Sequence, residues 1–249
     1  MSGQFIAGNP VTPPGFYGKM LSHGDFVNRR LPRHFVDAWD RWLQSAIARG
    51  IELLPDEWLD CYLRAPIWRF ALGAGVCGDI AWLGVLMPSV DKVGRHFPLT
   101  IAMAVPPSAS FNETLALSDR WFGRVESLAL STLSSEFDFA RFERELEAVP
   151  FPVWAGPRAR RPLLERGIKP PNGIVWLLRS DHDRTNPPLY QATFPVWSSF
   201  KFDGYSLWVS TGTDEIYPAL AATLGLPEID HFPALMQGKW DQFGWRVER

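Results

Sequence analysis

A few short stretches of the sequence carry side chains of the kinds that do chemistry. Ser22-His23-Gly24-Asp25 places a hydroxyl, an imidazole and a carboxylate within four positions. Catalytic triads are assembled by geometry and rarely from sequence neighbours, and the flanks here lack the GxSxG pattern of a nucleophilic serine. The competing reading is a structural elbow in which Asp25 bonds nearby backbone N–H groups. Ser89–His96, SVDKVGRH, gathers Asp91, Lys92, Arg95 and His96 in one polar loop. Such a set makes charge-assisted hydrogen bonds to an anionic group of a substrate or partner, unless its charges simply pair with one another. Asp181-His182-Asp183 suggests a metal ligand or general base, but a metal needs three or four ligands in defined positions, and this proline-rich loop does not supply them. Gly73–Gly78, GAGVCG, has GxGxxG spacing. The segment after it is strand-like, with no helix N-terminus to hold a pyrophosphate, so a glycine-rich hairpin turn is the better account. No coherent catalytic set emerges, and neither a metal nor a cofactor is expected.

The elements that position these loops follow from hydrophobic pattern. Gly84–Met87 and Phe97–Val105 are aliphatic, β-branched and too short for ordinary helices, and neither alternates cleanly, as in central strands covered on both faces. Pro88 ends the first of them, and the charged loop 89–96 follows at the rim of the buried sheet, where α/β proteins often place their sites. Ile67–Leu72 and Ile80–Met87 precede, and the short links predict an antiparallel meander. A strand and tight turn are expected over Gly15–Pro32. A helix over Arg33–Arg49 carries Phe35, Trp39, Trp42, Leu43, Ala46 and Ile47 on one face, with Gly50 as the residue that ends it. Asp56–Leu63 predicts a short helix and Asn112–Leu133 a long one. Asp138 caps another, bearing Phe139, Phe142, Leu146 and Val149 inward and Glu143, Glu145 and Glu147 towards water. Ile174–Leu178 and Tyr205–Ser210 are expected strands, Asp214–Leu224 and His231–Met236 short closing helices, and the tail with Trp240 and Trp245 is expected to pack back. Residues 1–14 are expected to be a flexible leader, and 15–249 a single α/β domain with a possible mobile loop at 151–171, rich in proline and arginine.

Composition bounds the function. The chain has 249 residues, 46% hydrophobic, with a net charge of −2, so it has core enough for a large domain and no field to draw a nucleic-acid backbone. Cys61 and Cys77 lie in apolar contexts and are expected to be buried free thiols. The N-terminus lacks the pattern of a secretory signal, and no run approaches the ~20 apolar residues that span a bilayer. A cytoplasmic location without membrane insertion is therefore expected. Twelve tryptophans and seventeen phenylalanines are many, and some are expected to act as exposed anchors on a protein-binding surface.

Two glycine- and proline-marked stretches carry a family likeness. The first is Gly15-Phe16-Tyr17-Gly18-Lys19, His23-Gly24-Asp25-Phe26-Val27, Arg30-Leu31-Pro32 and Trp39-Asp40-Arg41-Trp42-Leu43. The second is Ala65-Pro66-Ile67-Trp68-Arg69-Phe70, continuing through Gly84–Ser89 and Val90-Asp91-Lys92-Val93-Gly94-Arg95-His96-Phe97-Pro98-Leu99-Thr100. The chain resembles the TagF family of type VI secretion-associated proteins over Gly15–Thr100, more weakly beyond. Met20-Leu21 stands where a leucine-proline is commoner in that family. The resemblance implies a three-layer αβα sandwich around a mixed, largely antiparallel sheet. It also implies an accessory protein that represses assembly of the secretion apparatus after translation by binding a forkhead-associated scaffold. Taken with the residues, it makes Asp25, Asp91, Lys92 and Arg95 the candidate partner-binding set of a non-catalytic protein. The rival is a hydrolase in which the His23/Asp25 elbow and Arg95/His96 converge in the fold.

Overall fold

The computed structural model of the chain describes residues 12–106, 109, 111–154, 173–177 and 204–248, with the backbone of 5–6 and 9–10. In chain order the strands are β1 (Phe5–Ile6), β2 (Asn9–Pro10), β3 (Gly15–Gly18), β4 (Val27–Arg29), β5 (Trp68–Leu72), β6 (Trp82–Met87), β7 (Leu99–Ala104), β8 (Ile174–Leu177), β9 (Tyr205–Ser210), β10 (Ala219–Leu224) and β11 (Arg246–Glu248). The helices are α1 (Arg33–Leu53), α2 (Trp58–Arg64), α3 (Phe111–Leu117), α4 (Asp119–Ser131), α5 (Phe139–Glu147) and α6 (Phe232–Gln237). β1 and β2 form a small antiparallel ribbon within the expected leader. The other nine strands make one mixed sheet in the order β11-β8-β10-β9-β5-β6-β7-β3-β4, antiparallel at every step except β11 beside β8. The expected meander is β5-β6-β7, and the Gly73–Gly78 run is the turn between β5 and β6.

Both faces of this sheet are dry. Alternate residues of β6 divide between them: Leu83, Val85 and Met87 pack under α4 and α5, with Trp121, Phe122, Val125, Phe142 and Leu146. Trp82 and Leu86 face the other way, into a layer rich in tryptophan built from α1, α2 and α6, where Phe35, Trp39, Trp42, Trp58, Tyr62 and Phe232 meet Trp68, Phe70 and Trp208. Each large side chain buried there contributes roughly 1.5–3 kcal/mol. Three of the indoles there satisfy their polar edge, Trp39 donating to Thr100 Oγ1 at 2.8 Å, Trp42 to the Pro227 carbonyl at 2.8 Å and Trp68 to the Leu235 carbonyl at 2.9 Å, while the Trp82 indole N–H is buried without a partner among the described residues. The result is a three-layer αβα sandwich, as expected.

Several expectations change in detail. The run Asp214–Leu224 does not form a helix; Ala219–Leu224 is strand β10, paired on one side with β9 and on the other with β8. Its alanines and leucines favour a helix locally, but two waiting sheet partners and burial on both faces override that preference. The expected long helix is two, α3 and α4, broken at Ser118, whose backbone is not helical. The break puts Asp119 in the first turn of α4, where it meets the positive helix end and Arg69. Gly50 does not end α1, which continues to Leu53; a Cβ there would overlap the Trp58 ring outright, coming within 2.7 Å of its Cε3 and Cη2. Glu143, Glu145 and Glu147 are not idle on the surface. They pair with Arg29, with Arg124 and Arg141, and with Arg30. Cys61 and Cys77 are free thiols as expected, half-buried and buried respectively, and Trp240 and Trp245 pack into the core. The expected mobile loop lies mostly outside the described residues, as does Asp181-His182-Asp183.

Candidate functional site

The loop after β6 is organised around one buried carboxylate. Asp91 is 1% exposed, and both its oxygens are occupied. Lys19 Nζ donates to Oδ2 at 2.6 Å and Arg95 Nε at 2.7 Å, while the backbone N–H groups of Val93 and Arg95 donate to Oδ1 at 3.0 and 2.9 Å. Burial by itself would raise this carboxyl's pKa. The bonds from Lys19, the Arg95 backbone, the Arg95 side chain and the Val93 backbone outweigh it, and Asp91 sits well below the usual carboxylate range.

Two further clamps hold the loop. Tyr62 on α2 donates to the Ser89 carbonyl at 2.8 Å and accepts from the Ser89 N–H at 2.9 Å, and Ser89 Oγ donates to the Lys19 carbonyl at 2.8 Å. Burial raises the Tyr62 phenol above its ordinary pKa, so it stays a neutral donor and acceptor. Lys19 reaches this place because the chain turns at Gly18, which has φ +136° and where a Cβ would collide with the Pro98 carbonyl.

The elbow Ser22–Asp25 lies against the same loop. The Lys92 N–H donates to the His23 carbonyl at 2.9 Å, and the Arg95 guanidinium donates to the Gly24 carbonyl. Asp25 accepts from the Phe26 N–H at 2.8 Å, the local backbone bond that its position suggests. Beneath this rim Tyr17 stacks on Phe26 at 5.6 Å and 10°, Phe97 meets Phe26 edge-on at 4.8 Å, and Lys19 Nζ lies 5.1 Å from the Phe26 centroid. Tyr17 in turn donates to Asp40 Oδ1 on α1 at 2.6 Å, and burial together with that carboxylate raises its phenol pKa.

The fold therefore brings the four candidate residues to one rim, in two different states. Asp91 is the internal strut, too buried to touch a partner itself. Asp25, Lys92 and Arg95 are exposed, and between them Phe26 is 41% and Val93 70% exposed. The two imidazoles do not converge. His23 packs on Phe139 of α5 at 4.6 Å, with Ser22 Oγ 2.8 Å from its Nδ1. His96 meets Tyr62 of α2 at 5.6 Å, within the layer on the opposite face of the sheet. Among the described residues tryptophan supplies no exposed anchor: every one is buried or half-buried, and Phe26 takes that place at the rim. Sequence reasoning missed Lys19 and Tyr62, which lie 72 and 27 positions from the groups they hold. The one available signal for Lys19 was a lone charge inside the apolar run FYGKML. It also missed Arg69, buried on β5 and forked between Glu126 (2.6 and 2.9 Å) and Asp119 (2.6 Å) of α4. Among the described residues no helix is long and apolar enough to cross a membrane, and no three His, Cys, Asp or Glu side chains gather to hold a metal ion.

Fold and site together define an α/β sandwich protein whose mixed sheet carries a Lys19–Asp91–Arg95 cluster, centred on a buried carboxylate, at one rim. The family model described as the TagF N-terminal domain, type VI secretion system-associated, matches residues 15–149, more than half of the chain. The chain belongs to that family. It is similar in structure to PA0076 from Pseudomonas aeruginosa PAO1, with a TM-score of 0.73 and 37% sequence identity over 91% of this chain and 94% of that one. No curated protein matches the chain.

Proposed function

We propose that this chain is a non-catalytic regulator of type VI secretion that works in the cytoplasm by binding a forkhead-associated scaffold protein, and that this binding represses assembly of the apparatus. Family membership supports the association with type VI secretion, and the rim supports the mode of action. The observation that carries it is the Asp91 strut: a buried carboxylate with four donors holds Lys92, Val93 and Arg95 outward beside Phe26. A loop fixed in advance loses little entropy on docking, and an aromatic or aliphatic centre ringed by charges is the anatomy of a protein contact. A hydrolase built on His23, Asp25, Arg95 and His96 has no support in these contacts, since its imidazoles pack on opposite faces of the sheet.

The test is calorimetric titration of the purified chain with the forkhead-associated scaffold. Arg95→Ala and Asp25→Ala are expected to weaken binding about fivefold or more each. Asp25→Ala should leave the thermal midpoint near that of the parent, whereas Arg95→Ala also removes a donor to the buried Asp91 and should lower it. Unchanged affinity in both variants refutes the placement on this rim. Absence of any binding by the parent refutes the role.

A further inference from the structure

The outer face of α2, whose inner face clamps the rim loop through Tyr62, carries an apolar stripe that none of the described residues covers. Leu59 and Leu63 stand one helical turn apart and are 49% and 56% exposed. Ile51 at the end of α1 is 48% exposed, and Tyr217 on the neighbouring loop 70%. Trp58 and Tyr62, on the inward side of α2, are buried. The helix is therefore held firmly in the sandwich while it presents leucines to solvent.

The surroundings of that stripe are acidic in a specific way. Arg64 of α2 is paired with both Asp60 and Glu215, and Arg49 of α1 with both Glu52 and Asp230. Lys239 lies 3.6 Å from Glu57. Each arginine is thus outnumbered by its carboxylates, and the exposed Asp56 at the start of α2 adds to the surplus. The ion pairs tie α1 to the loop at Asp230 and α2 to the loop at Glu215. An exposed stripe of this kind marks an interaction site, and the charge around it selects the partner. A second copy of the chain would bring the same acids against these and be repelled.

We infer that the α2 face, with Leu59 and Leu63 at its centre, docks a basic amphipathic helix of a partner protein. The partner's apolar side chains lie along the leucines, and its lysines or arginines meet the carboxylates of Asp56, Asp60 and Glu215. This surface is the outer face of α2, opposite the buried Tyr62 that clamps Ser89 of the rim loop.

The experiment uses the full chain, isotope-labelled, and a synthetic leucine–lysine amphipathic peptide of about four helical turns. A peptide of the same pattern with glutamate in place of lysine is the control. The expected result is saturable binding of the lysine peptide, with backbone shifts centred on residues 56–64 and 214–217. Leu59→Ser with Leu63→Ser should weaken it at least about tenfold. Asp56→Lys, at an exposed position, should weaken it and flatten its dependence on salt. Equal affinity in the leucine double variant, equal binding of the glutamate peptide, shifts centred elsewhere, or dimerisation through these leucines would each overturn the inference. The rim variants Arg95→Ala and Asp25→Ala should bind the peptide as the parent does.

Discussion

Gly50→Ala is the most discriminating change in this fold, because helix propensity and tertiary packing give it opposite signs. In a helix interior alanine is favoured over glycine by about 1 kcal/mol. Were Gly50 the terminating residue that its position suggests, alanine would instead cost about 1 kcal/mol for the left-handed backbone of a helix end. In the fold it lies inside α1, and an added Cβ overlaps the six-membered ring of Trp58. That ring has nowhere easy to go. It is 6% exposed, with Tyr62 at 5.9 Å on one side and Phe232 at 6.4 Å on the other. Overpacking costs about 1–3 kcal/mol, and the upper part of that range applies where two packed helices bound the site. Subtracting the propensity gain leaves a net loss of about 2 kcal/mol. For a chain of this size that is a fall of roughly 4–8 °C in Tm. The displaced ring also pushes on α2, which carries the Tyr62 clamp on Ser89, so amide exchange at Ser89 should rise. The assay is guanidinium unfolding followed by circular dichroism, with calorimetry for Tm. In a Trp58→Leu background the obstructing ring carbons are gone, and Gly50→Ala should turn stabilising by up to about 1 kcal/mol, a coupling of about 3 kcal/mol between the two sites. A Gly50→Ala protein as stable as the parent, or an unchanged effect in the Trp58→Leu background, refutes the reasoning.

Two further outcomes follow from individual groups. Asp91 has a folded pKa below its unfolded one, so its contribution is complete above the ordinary carboxylate range near 4 and is lost as pH falls through that range towards the folded value. The stability gap between the parent and Asp91→Asn in urea unfolding should therefore be constant from about pH 5 to 8 and shrink below about pH 4; a gap that does not change with pH would mean the carboxylate's charge plays no part. Burial pushes the Cys77 thiol up to about 12, whereas Cys61 is only half-buried. Alkylation at pH 8 followed by peptide mapping should label Cys61 first and Cys77 only on unfolding, and early labelling of Cys77 would contradict its packing.

What the sequence determined by itself is the part of the fold written in local pattern. The apolar runs 84–87 and 97–105, the stripe of Phe35, Trp39, Trp42 and Leu43, and the cap at Asp138 specify strands, a core helix and a helix start without knowledge of neighbours. They depend on periodicities of two and 3.6 residues that the chain itself displays. The family likeness over Gly15–Thr100 was legible in the same way, and so was a charged loop at the rim of the sheet. Tertiary structure decided the rest. Ala219–Leu224 became a strand because β8 and β9 offered it hydrogen bonds on both sides, which no local propensity records. Gly50 became the slot for a ring eight residues ahead. Asp91 changed from a presumed contact into a strut because Lys19 and Tyr62 arrive from distant parts of the chain. A buried carboxylate exists only where such partners converge to offset its lost hydration, and that convergence is a property of the folded chain, not of spacing along it.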